Sequence, residues 1–239
     1  MIHVLDLFSG IGGFSLGLES TGHFRTIGFC EIEPFCREVL RKHWPDVPIW
    51  EDVRDLSPPR ADLVCGGVPC QPFSSASRGR KRGRENDRWL WREMVRIAEA
   101  SGARWILLEN VAHFESMALA AVASDLERLG WEVGTLEIPA CAVGCDHRRS
   151  RLWVLGYTNR DGEPRGSFNA KVARLPWPGP EAGDRRGPHG VSPRLDVARR
   201  QALGNSVVPQ VVAVIGQAIA EVDHGRAGDV LGRPLDSRT

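Results

Sequence analysis

The stretch GGVPCQPFSS, residues 66–75, places one cysteine between two prolines and behind paired glycines. The prolines restrict the backbone on either side of Cys70, and Gly66 and Gly67 allow close approach or unusual dihedral angles. A buried structural cysteine needs none of these neighbours, because it behaves as a small apolar residue. The stretch therefore predicts a stiff turn that holds one thiol at a defined place for nucleophilic chemistry.

A second reactive group lies in RWILLENV, residues 104–111, where Glu109 ends a very apolar strand. Desolvation there should raise the pKa of Glu109, so that the carboxyl group stays protonated and donates to a ring nitrogen. A solvent-paired acid at the strand end is the alternative, and Asn110 could hold either that carboxyl group or the turn. Arg149 and Arg151 could lower the thiol pKa, bind a ring carbonyl, bind phosphate or form salt bridges.

Three further features suit a cofactor that contains a nucleoside. The glycine-rich turn at residues 9–13 follows the first predicted strand, although it lacks the G-x-G-x-x-G spacing of a pyrophosphate site. Glu31 ends the second strand and could accept ribose hydroxyls, or could begin a helix. Asp52 could accept from an adenine amino group, or could cap a turn. A thiolate that adds to an electron-poor ring while an acid protonates the ring nitrogen leaves a nucleophilic carbon.

Composition and charge set the class of protein. The chain has 239 residues and a net charge of +1, which allows one sizeable domain and does not by itself indicate a nucleic-acid binder. Residues 77–88, however, carry six basic against two acidic side chains close to the constrained thiol, which favours phosphate contacts. No apolar run reaches about 18 residues and no signal peptide is present, so we expect a cytoplasmic, nucleoid-associated protein.

The six cysteines are expected to be free thiols in a reducing compartment. Cys141 and Cys145 lie near His147, a spacing that invites a zinc site. No second ligand pair at finger spacing occurs in the sequence, so we predict no metal.

The elements that position these groups alternate between strand and helix. Apolar runs at residues 3–8, 25–31, 61–67 and 104–111 predict buried strands, with helical patterns between them. Two β-rich runs at residues 131–140 and 151–158 predict an antiparallel addition. The order favours a doubly wound α/β sheet, Rossmann-like and mostly parallel, whose ligands bind beyond the carboxyl ends of the strands.

The amino-acid composition changes in the second half of the chain. We predict a catalytic and cofactor-binding domain at residues 1–157 and an irregular, proline- and glycine-rich recognition region at 158–195. Residues 196–223 return to the first domain with a long apolar helix, and the tail at 224–239 is expected to be disordered.

These motifs, in this order, resemble those of cytosine-C5 DNA methyltransferases. The similarity runs from DLFSGIGGFSLGLE through GGVPCQPFSSAS, LLENV and HRRSRLWVLGY to ALGNSVVPQV. The resemblance implies an enzyme, bacterial or phage-encoded, that transfers a methyl group from S-adenosylmethionine to C5 of cytosine in double-stranded DNA. It also implies a restriction–modification setting, with a cognate endonuclease or a second copy of the chain as open partners.

Residue by residue, the resemblance makes Cys70 the nucleophile that attacks cytosine C6 and Glu109 the acid that contacts ring N3. Arg151 matches the catalytic arginine, with Arg149 as its partner. The target base must leave the duplex to be reached. The implied cofactor pocket consists of Phe8, Gly10, Ile11, Gly12, Gly13, Glu31, Ile32, Asp52, Val53, Pro69, Leu90, Asn205 and Ser206. The implied DNA contacts, on a basic loop that closes over the base, are Arg78, Arg80, Lys81, Arg82 and Arg84.

The sequence departs from the family in three ways. His147 stands where glutamine is common, and Asp146 where proline is common. The usual arginine-rich block before ALGNSVVP is missing, and the recognition region at 158–195 is short. A short region predicts that few bases are read, that a partner completes recognition, or that the chain is a weakly active relic. The side chains available for base readout are Arg160, Arg165, Asn169, Lys171, Arg174, Arg185 and Arg186.

Three rival functions follow from the same residues. A related branch of the family methylates a tRNA cytosine, but that branch typically departs from PCQPFS after the nucleophile. A catalytically dead DNA-binding module is opposed by the competent residue at every catalytic position. A small-molecule methyltransferase is opposed by the basic loop and by the ENV motif.

Overall fold

The computed structural model describes residues 1–69, 90–111, 119–145, 149–158, 202–203 and 205–223. Strands and helices alternate along most of this part, as the sequence predicts. The strands are β1 (Ile2–Leu7), β2 (Phe24–Cys30), β3 (Ile49–Trp50), β4 (Leu63–Gly66), β5 (Trp105–Val111), β6 (Glu132–Ile138) and β7 (Arg151–Tyr157). The helices are α1 (Gly13–Glu19), α2 (Pro34–His43), α3 (Trp91–Ser101), α4 (Ala120–Arg128) and α5 (Pro209–Asp223), with a 3-10 helix at Ala140–Val143.

The strands form one seven-stranded sheet in the order β3-β2-β1-β4-β5-β7-β6. The five strands from β3 to β5 pair in parallel, and β7 pairs antiparallel with both β5 and β6. The predicted mostly parallel sheet with an antiparallel addition is therefore confirmed. The strand order reverses at β1, which makes the carboxyl ends of β1 and its neighbours the expected ligand side.

Local sequence explains where the helices begin and end. Helix α2 starts with Pro34, whose missing N–H costs nothing in the first turn, and its last turn carries Arg41, Lys42 and His43, which favour the negative end of the helix dipole. Helix α3 stops at Gly102, which adopts a left-handed conformation with φ of 73° and donates its N–H to the last turn. Both boundaries are therefore set by residues at the helix ends.

The sheet is covered on both faces by separate apolar clusters. One cluster joins Trp91 and Met94 of α3 with Val122 of α4 and with strand residues such as Ile106. The other joins α1 and α5 to the opposite face, where Phe14 meets the indole of Trp153 edge-on at 5.8 Å. Burial on both faces explains why β1, β4 and β5 read as nearly continuous apolar runs.

Within the described residues, no helix combines the length and the apolar character needed to cross a bilayer. The predicted recognition region lies outside the described residues except for Thr158, and so does the tail at 224–239. The division into domains therefore stays a prediction.

Candidate active site

The turn after β1 and the end of β2 hold one carboxylate in place. The N–H of Gly10 donates to Oε2 of Glu31 at 2.7 Å, and the N–H of Glu33 donates to Oε1 at 2.8 Å. Glu31 is only 7% exposed, so both oxygens are fixed where β2 ends. Each carboxylate oxygen has a further lone pair, which leaves acceptor capacity for a ligand.

Arg37 fixes the segment that follows Glu31. Its guanidinium donates to the carbonyls of Glu31 at 3.1 Å and Ile32 at 2.6 Å, and it pairs with Glu51 at 3.1 Å. The backbone carrying Ile32 is thereby held, while the Ile32 side chain is 65% exposed. An exposed apolar side chain on a fixed backbone offers a flat surface to an aromatic ring.

Asp52 caps the turn after β3. Its Oδ1 accepts the N–H of Arg54 at 2.9 Å, and its Oδ2 lies 3.5 Å from the Arg54 guanidinium. The turn-capping alternative from the sequence is thus realised in the structure. Asp52 nevertheless faces the same cavity as Glu31.

One cavity of about 510 Å³ collects these residues at the carboxyl ends of β1, β2 and β4. Of the thirteen cofactor residues expected from the sequence, all except Ile11 and Gly12 line it. Ser9 and Gly67 also line it, and they belong to the glycine turn and the thiol turn that the sequence indicates. Sequence reasoning missed the other lining residues, most of which are direct neighbours in sequence of predicted ones. These are Phe14, Cys30, Glu33, Phe35, Cys36, Glu51, Arg54, Ala202 and Val207.

Glu109 lies at the edge of that cavity and pairs with Arg151. The antiparallel register of β5 and β7 sets Arg151 opposite Val111, which places its side chain diagonally from Glu109 on the same face. Arg151 Nε is 2.9 Å from Glu109 Oε1. Burial raises the pKa of Glu109, while the positive charges of Arg151 and Arg149 act in the opposite direction. Burial prevails, in the direction that the sequence predicts.

Asn110 holds the turn rather than the carboxyl group. Its Nδ2 donates to the carbonyl of Val68 at 2.9 Å, and its Oδ1 accepts the N–H of Val111 at 2.9 Å. Asn110 therefore ties the end of β5 to the segment that leads into Cys70. Because Asn110 is buried, loss of this amide would leave a carbonyl and an N–H without partners.

Gly66 and Gly67, the paired glycines before Cys70, allow neighbouring groups to lie close to their backbone. A Cβ on Gly66 would collide with the carbonyl oxygen of Leu7 in the neighbouring strand. A Cβ on Gly67 would lie 3.3 Å from Oε2 of Glu109. Neither glycine has a left-handed φ, so the alternative of unusual dihedral angles does not apply.

Arg149 reaches a different part of the site from Arg151. One of its terminal nitrogens donates to the carbonyl of Ser206 at 2.9 Å. Burial and the nearby Arg151 lower the pKa of Arg149, while the charge of Glu109 raises it. Its head group therefore stands within electrostatic reach of the Glu109–Arg151 pair and binds Ser206, which lines the cavity.

The sequence matches the family model for C-5 cytosine-specific DNA methylase over residues 2–180. The chain belongs to this family. It is 36% identical over 162 residues to the Type II methyltransferase M2.BsuMI of Bacillus subtilis (strain 168), covering 64% of this chain and 41% of that protein. It is 32% identical over 173 residues to the Type II methyltransferase M1.HphI of Haemophilus parahaemolyticus, covering 66% of this chain and 46% of that protein. The chain thus spans less than half the length of either relative.

Solved structures establish the methylase fold independently. The Entamoeba histolytica methyltransferase EhMeth matches with a TM-score of 0.66 at 13% identity, over 94% of this chain and 99% of that one. A mutant of Spodoptera frugiperda DNMT2 matches with a TM-score of 0.57 at 20% identity, over 70% of this chain and 53% of that one. The expected family and the expected Rossmann-like fold are both confirmed.

Several residues expected in the methylase site lie outside the described residues. They are the nucleophile Cys70, the basic loop residues Arg78, Arg80, Lys81, Arg82 and Arg84, and all seven side chains considered for base readout. Their roles stay predictions. Among described thiols, Cys30 and Cys36 line the cavity but are buried, and burial raises the pKa of Cys30 to about 12 and of Cys36 to about 11. Such thiols are poor nucleophiles.

Proposed function

We propose that this chain transfers a methyl group from S-adenosylmethionine to C5 of cytosine in DNA, through a covalent bond between Cys70 and C6 of a flipped-out base. One observation carries the proposal. A single cavity is lined both by the fixed carboxylate of Glu31 and by Glu109, the buried acid paired with Arg151. A nucleoside-binding side and a proton-donating side thus open into one space, as methyl transfer between a cofactor and a ring requires.

The residues of the cavity fit S-adenosylmethionine. Glu31 keeps a free lone pair on each oxygen beside the Gly10 turn, which suits two ribose hydroxyls. Ile32 presents an exposed apolar side chain, and Asp52 a carboxylate held by its own turn, for the face and the amino group of adenine. When bound, S-adenosylmethionine supplies an electrophilic methyl group. The chain's part is to bind it, orient it and keep water away.

The base side supplies the acid and its orientation. Burial raises the pKa of Glu109, so the protonated form is available to donate to N3 of a cytosine. Arg151 fixes the direction of the carboxyl group and leaves guanidinium donors for the ring carbonyl. Asn110 anchors the segment before Cys70 to the same strand that carries Glu109, which couples the positions of acid and nucleophile.

The proposed reaction is an addition to C6, a methyl transfer to C5 and an elimination. The Cys70 thiolate forms a bond to C6 while Glu109 protonates N3, so that C5 becomes nucleophilic. C5 then takes the methyl group from the sulfonium sulfur, whose bond to that methyl group breaks, and S-adenosylhomocysteine leaves with the electron pair on sulfur. The C5 proton then leaves to solvent, the N3 proton returns to Glu109, and the C6–sulfur bond breaks. Base flipping brings the ring to these groups, and the basic loop at 77–88 is the proposed phosphate contact.

The test is methyl transfer from labelled S-adenosylmethionine to unmethylated DNA, with the modified positions mapped by bisulfite sequencing. We expect conversion-resistant cytosines in one short sequence context. DNA containing 5-fluorocytosine should form a stable protein–DNA adduct, because fluorine cannot leave C5 as a cation, and peptide mass analysis should locate the adduct at Cys70. Cys70→Ala should abolish both signals, whereas the matched control Cys141→Ala should retain them.

The other outcomes separate the rival functions. Transfer to a tRNA transcript but not to DNA would replace the proposal with RNA methylation. Cofactor binding without transfer to either nucleic acid would indicate a missing recognition partner or a relic. Equal activity of Cys70→Ala and the parent would disprove the covalent step.

A further inference from the structure

Arg149 connects two parts of the site that belong to distant stretches of sequence. It lies two residues before Arg151, at the entry to β7, and donates to the carbonyl of Ser206, 57 positions further along. Ser206 lines the cavity beside Asn205 and Val207, after the chain has passed through residues 159–201. The contact therefore fastens the returning segment, residues 205–208, to the strand that carries Arg151.

The returning segment packs directly on the glycine-rich turn at residues 9–13, the cofactor turn. A Cβ on Gly13 would lie 2.8 Å from Oγ of Ser206 and 2.9 Å from Cγ2 of Val207, so nothing larger than glycine fits beneath the segment. Any shift of the segment would therefore open or close the cavity at the turn. Arg149 links this segment to the start of β7 through its hydrogen bond to Ser206.

The backbone of Arg149 is itself unusual. Its φ of 25° is positive, a region that non-glycine residues rarely occupy. Such a conformation persists only where its surroundings hold it, and it is commonly associated with function. It directs the Arg149 guanidinium towards Ser206, whereas the neighbouring Arg151 reaches Glu109.

We propose that Arg149 is a positioning residue for cofactor binding: it holds the 205–208 segment as the wall of the cavity, whereas Arg151 acts on the base side. This assignment rests on the proposed function for the identity of the cofactor. It differs from the role expected from sequence, in which Arg149 is the partner of Arg151 in catalysis. Arg149 and Arg151 of HRRSR thus have separate roles, one for each side of the cavity.

The assignment has measurable consequences. The hydrogen bond from the charged Arg149 to the half-buried carbonyl of Ser206 is stronger than one between two neutral groups. Its loss should free the 205–208 segment and weaken cofactor binding by about tenfold. Lysine keeps the charge but not the planar fork of donors, so it should restore only part of the affinity. The wall acts on affinity, so the rate at saturating cofactor should change much less than the KM.

The experiment measures S-adenosylhomocysteine binding by calorimetry without DNA, in the whole chain. Arg149→Met should weaken binding about tenfold and Arg149→Lys less, while Arg151→Met stays within about twofold of the parent. Arg128→Met is the matched control, since Arg128 is exposed on α4, pairs with Asp125 and is not among the described residues that line the cavity. In methyl-transfer assays, Arg149→Met should raise the KM for S-adenosylmethionine, whereas Arg151→Met should lower kcat.

Two results would overturn the assignment. Unchanged S-adenosylhomocysteine affinity in Arg149→Met would remove the wall role. A fall in kcat equal to that of Arg151→Met, at saturating cofactor, would make Arg149 catalytic instead. Thermal unfolding of each variant identifies a merely unfolded protein, and Arg149→Lys supplies the folded comparison. If the parent binds S-adenosylhomocysteine but methylates no DNA, the proposed function fails while the binding comparison still decides the role of Arg149.

Discussion

The proposed cofactor side of the cavity, around Glu31, and the proposed base side, around Glu109, are held together by different kinds of contact. On the cofactor side, main-chain N–H groups of Gly10 and Glu33 hold the key carboxylate, and glycines allow neighbouring segments to touch. On the base side, two side chains on antiparallel strands, the acid Glu109 and the cation Arg151, hold each other in a buried environment. The first side should therefore be sensitive to added atoms, and the second to loss of the acid.

The largest expected effect is the loss of the acid on the base side. Glu109→Gln keeps the size of the side chain but removes the proton that the carboxyl group donates, so single-turnover methyl transfer should fall by about 100-fold or more. S-adenosylhomocysteine affinity, measured by calorimetry, should stay within about threefold. Glu137→Gln is the control, because Glu137 is an exposed acid on β6. Equal losses of transfer and affinity in Glu109→Gln would show that the two sides are not separate.

The next effect is an added methyl group behind the cofactor turn. A Cβ on Gly17 of α1 would collide with the carbonyl oxygen of Pro209 and lie 2.7 Å from Cβ of Val212 in α5. Gly17→Ala should therefore lower the free energy of unfolding by about 1–3 kcal/mol in urea titrations. Leu16→Ala, at a 55% exposed position of the same helix, should change it much less. Equal effects of the two substitutions would mean that α1 and α5 can move apart freely.

A smaller effect isolates the contact beneath the turn itself. Gly12 has φ of 85°, and a Cβ there would lie 2.6 Å from the indole of Trp44. Gly22 has φ of 77°, and a Cβ there would meet nothing within 4 Å. Both alanine variants carry backbone strain of about 1 kcal/mol or more. The difference between their free energies of unfolding therefore measures the cost of the collision with Trp44.

We expect Gly12→Ala to be the less stable of the two by about 1 kcal/mol and to bind S-adenosylhomocysteine more weakly. Trp44 is fixed there, since its indole N–H donates to Glu19 at 2.9 Å. Gly22→Ala should leave the affinity unchanged. Identical stability and affinity in both variants would show that Trp44 does not constrain the turn.

Features set by local sequence could be predicted, whereas contacts between distant positions could not. The strands, the glycine turn and the strand-end acids Glu31 and Glu109 were predictable, because apolar runs and polar termini are local signals. The contact between Arg149 and Ser206 was not, because it joins positions 57 apart through a side-chain rotamer. The packing of Gly12 on Trp44 was equally hidden, since it depends on which neighbours the fold brings together. The turn-capping role of Asp52 is a local contact with Arg54, and the sequence offered it as an alternative.

The remaining effect concerns pH and Asp6, at the base of the turn that follows β1. Asp6 is fully buried, and Ser15 donates to its Oδ2 through both its N–H and its hydroxyl group, the latter at 2.8 Å. Burial raises the pKa of Asp6 from 3.8 to about 8, and the charges of Glu31 and Glu19 act in the same direction despite those hydrogen bonds. Folding therefore takes up a proton between these two pH values.

Because the folded state holds a proton that the unfolded chain lacks, stability should fall as pH rises from about 4 to about 8, by up to about 1.4 kcal/mol per pH unit from this group. Asp6→Asn cannot ionise and keeps an oxygen for the Ser15 hydroxyl group, so its free energy of unfolding should lose that slope and gain on the parent as the pH rises. Urea titrations between pH 5 and 8 measure the difference, with Glu137→Gln as the variant that should follow the parent. Parallel curves for Asp6→Asn and the parent would mean that Asp6 is already ionised in the fold. In that case the cofactor side, like the base side, would depend on a buried charge.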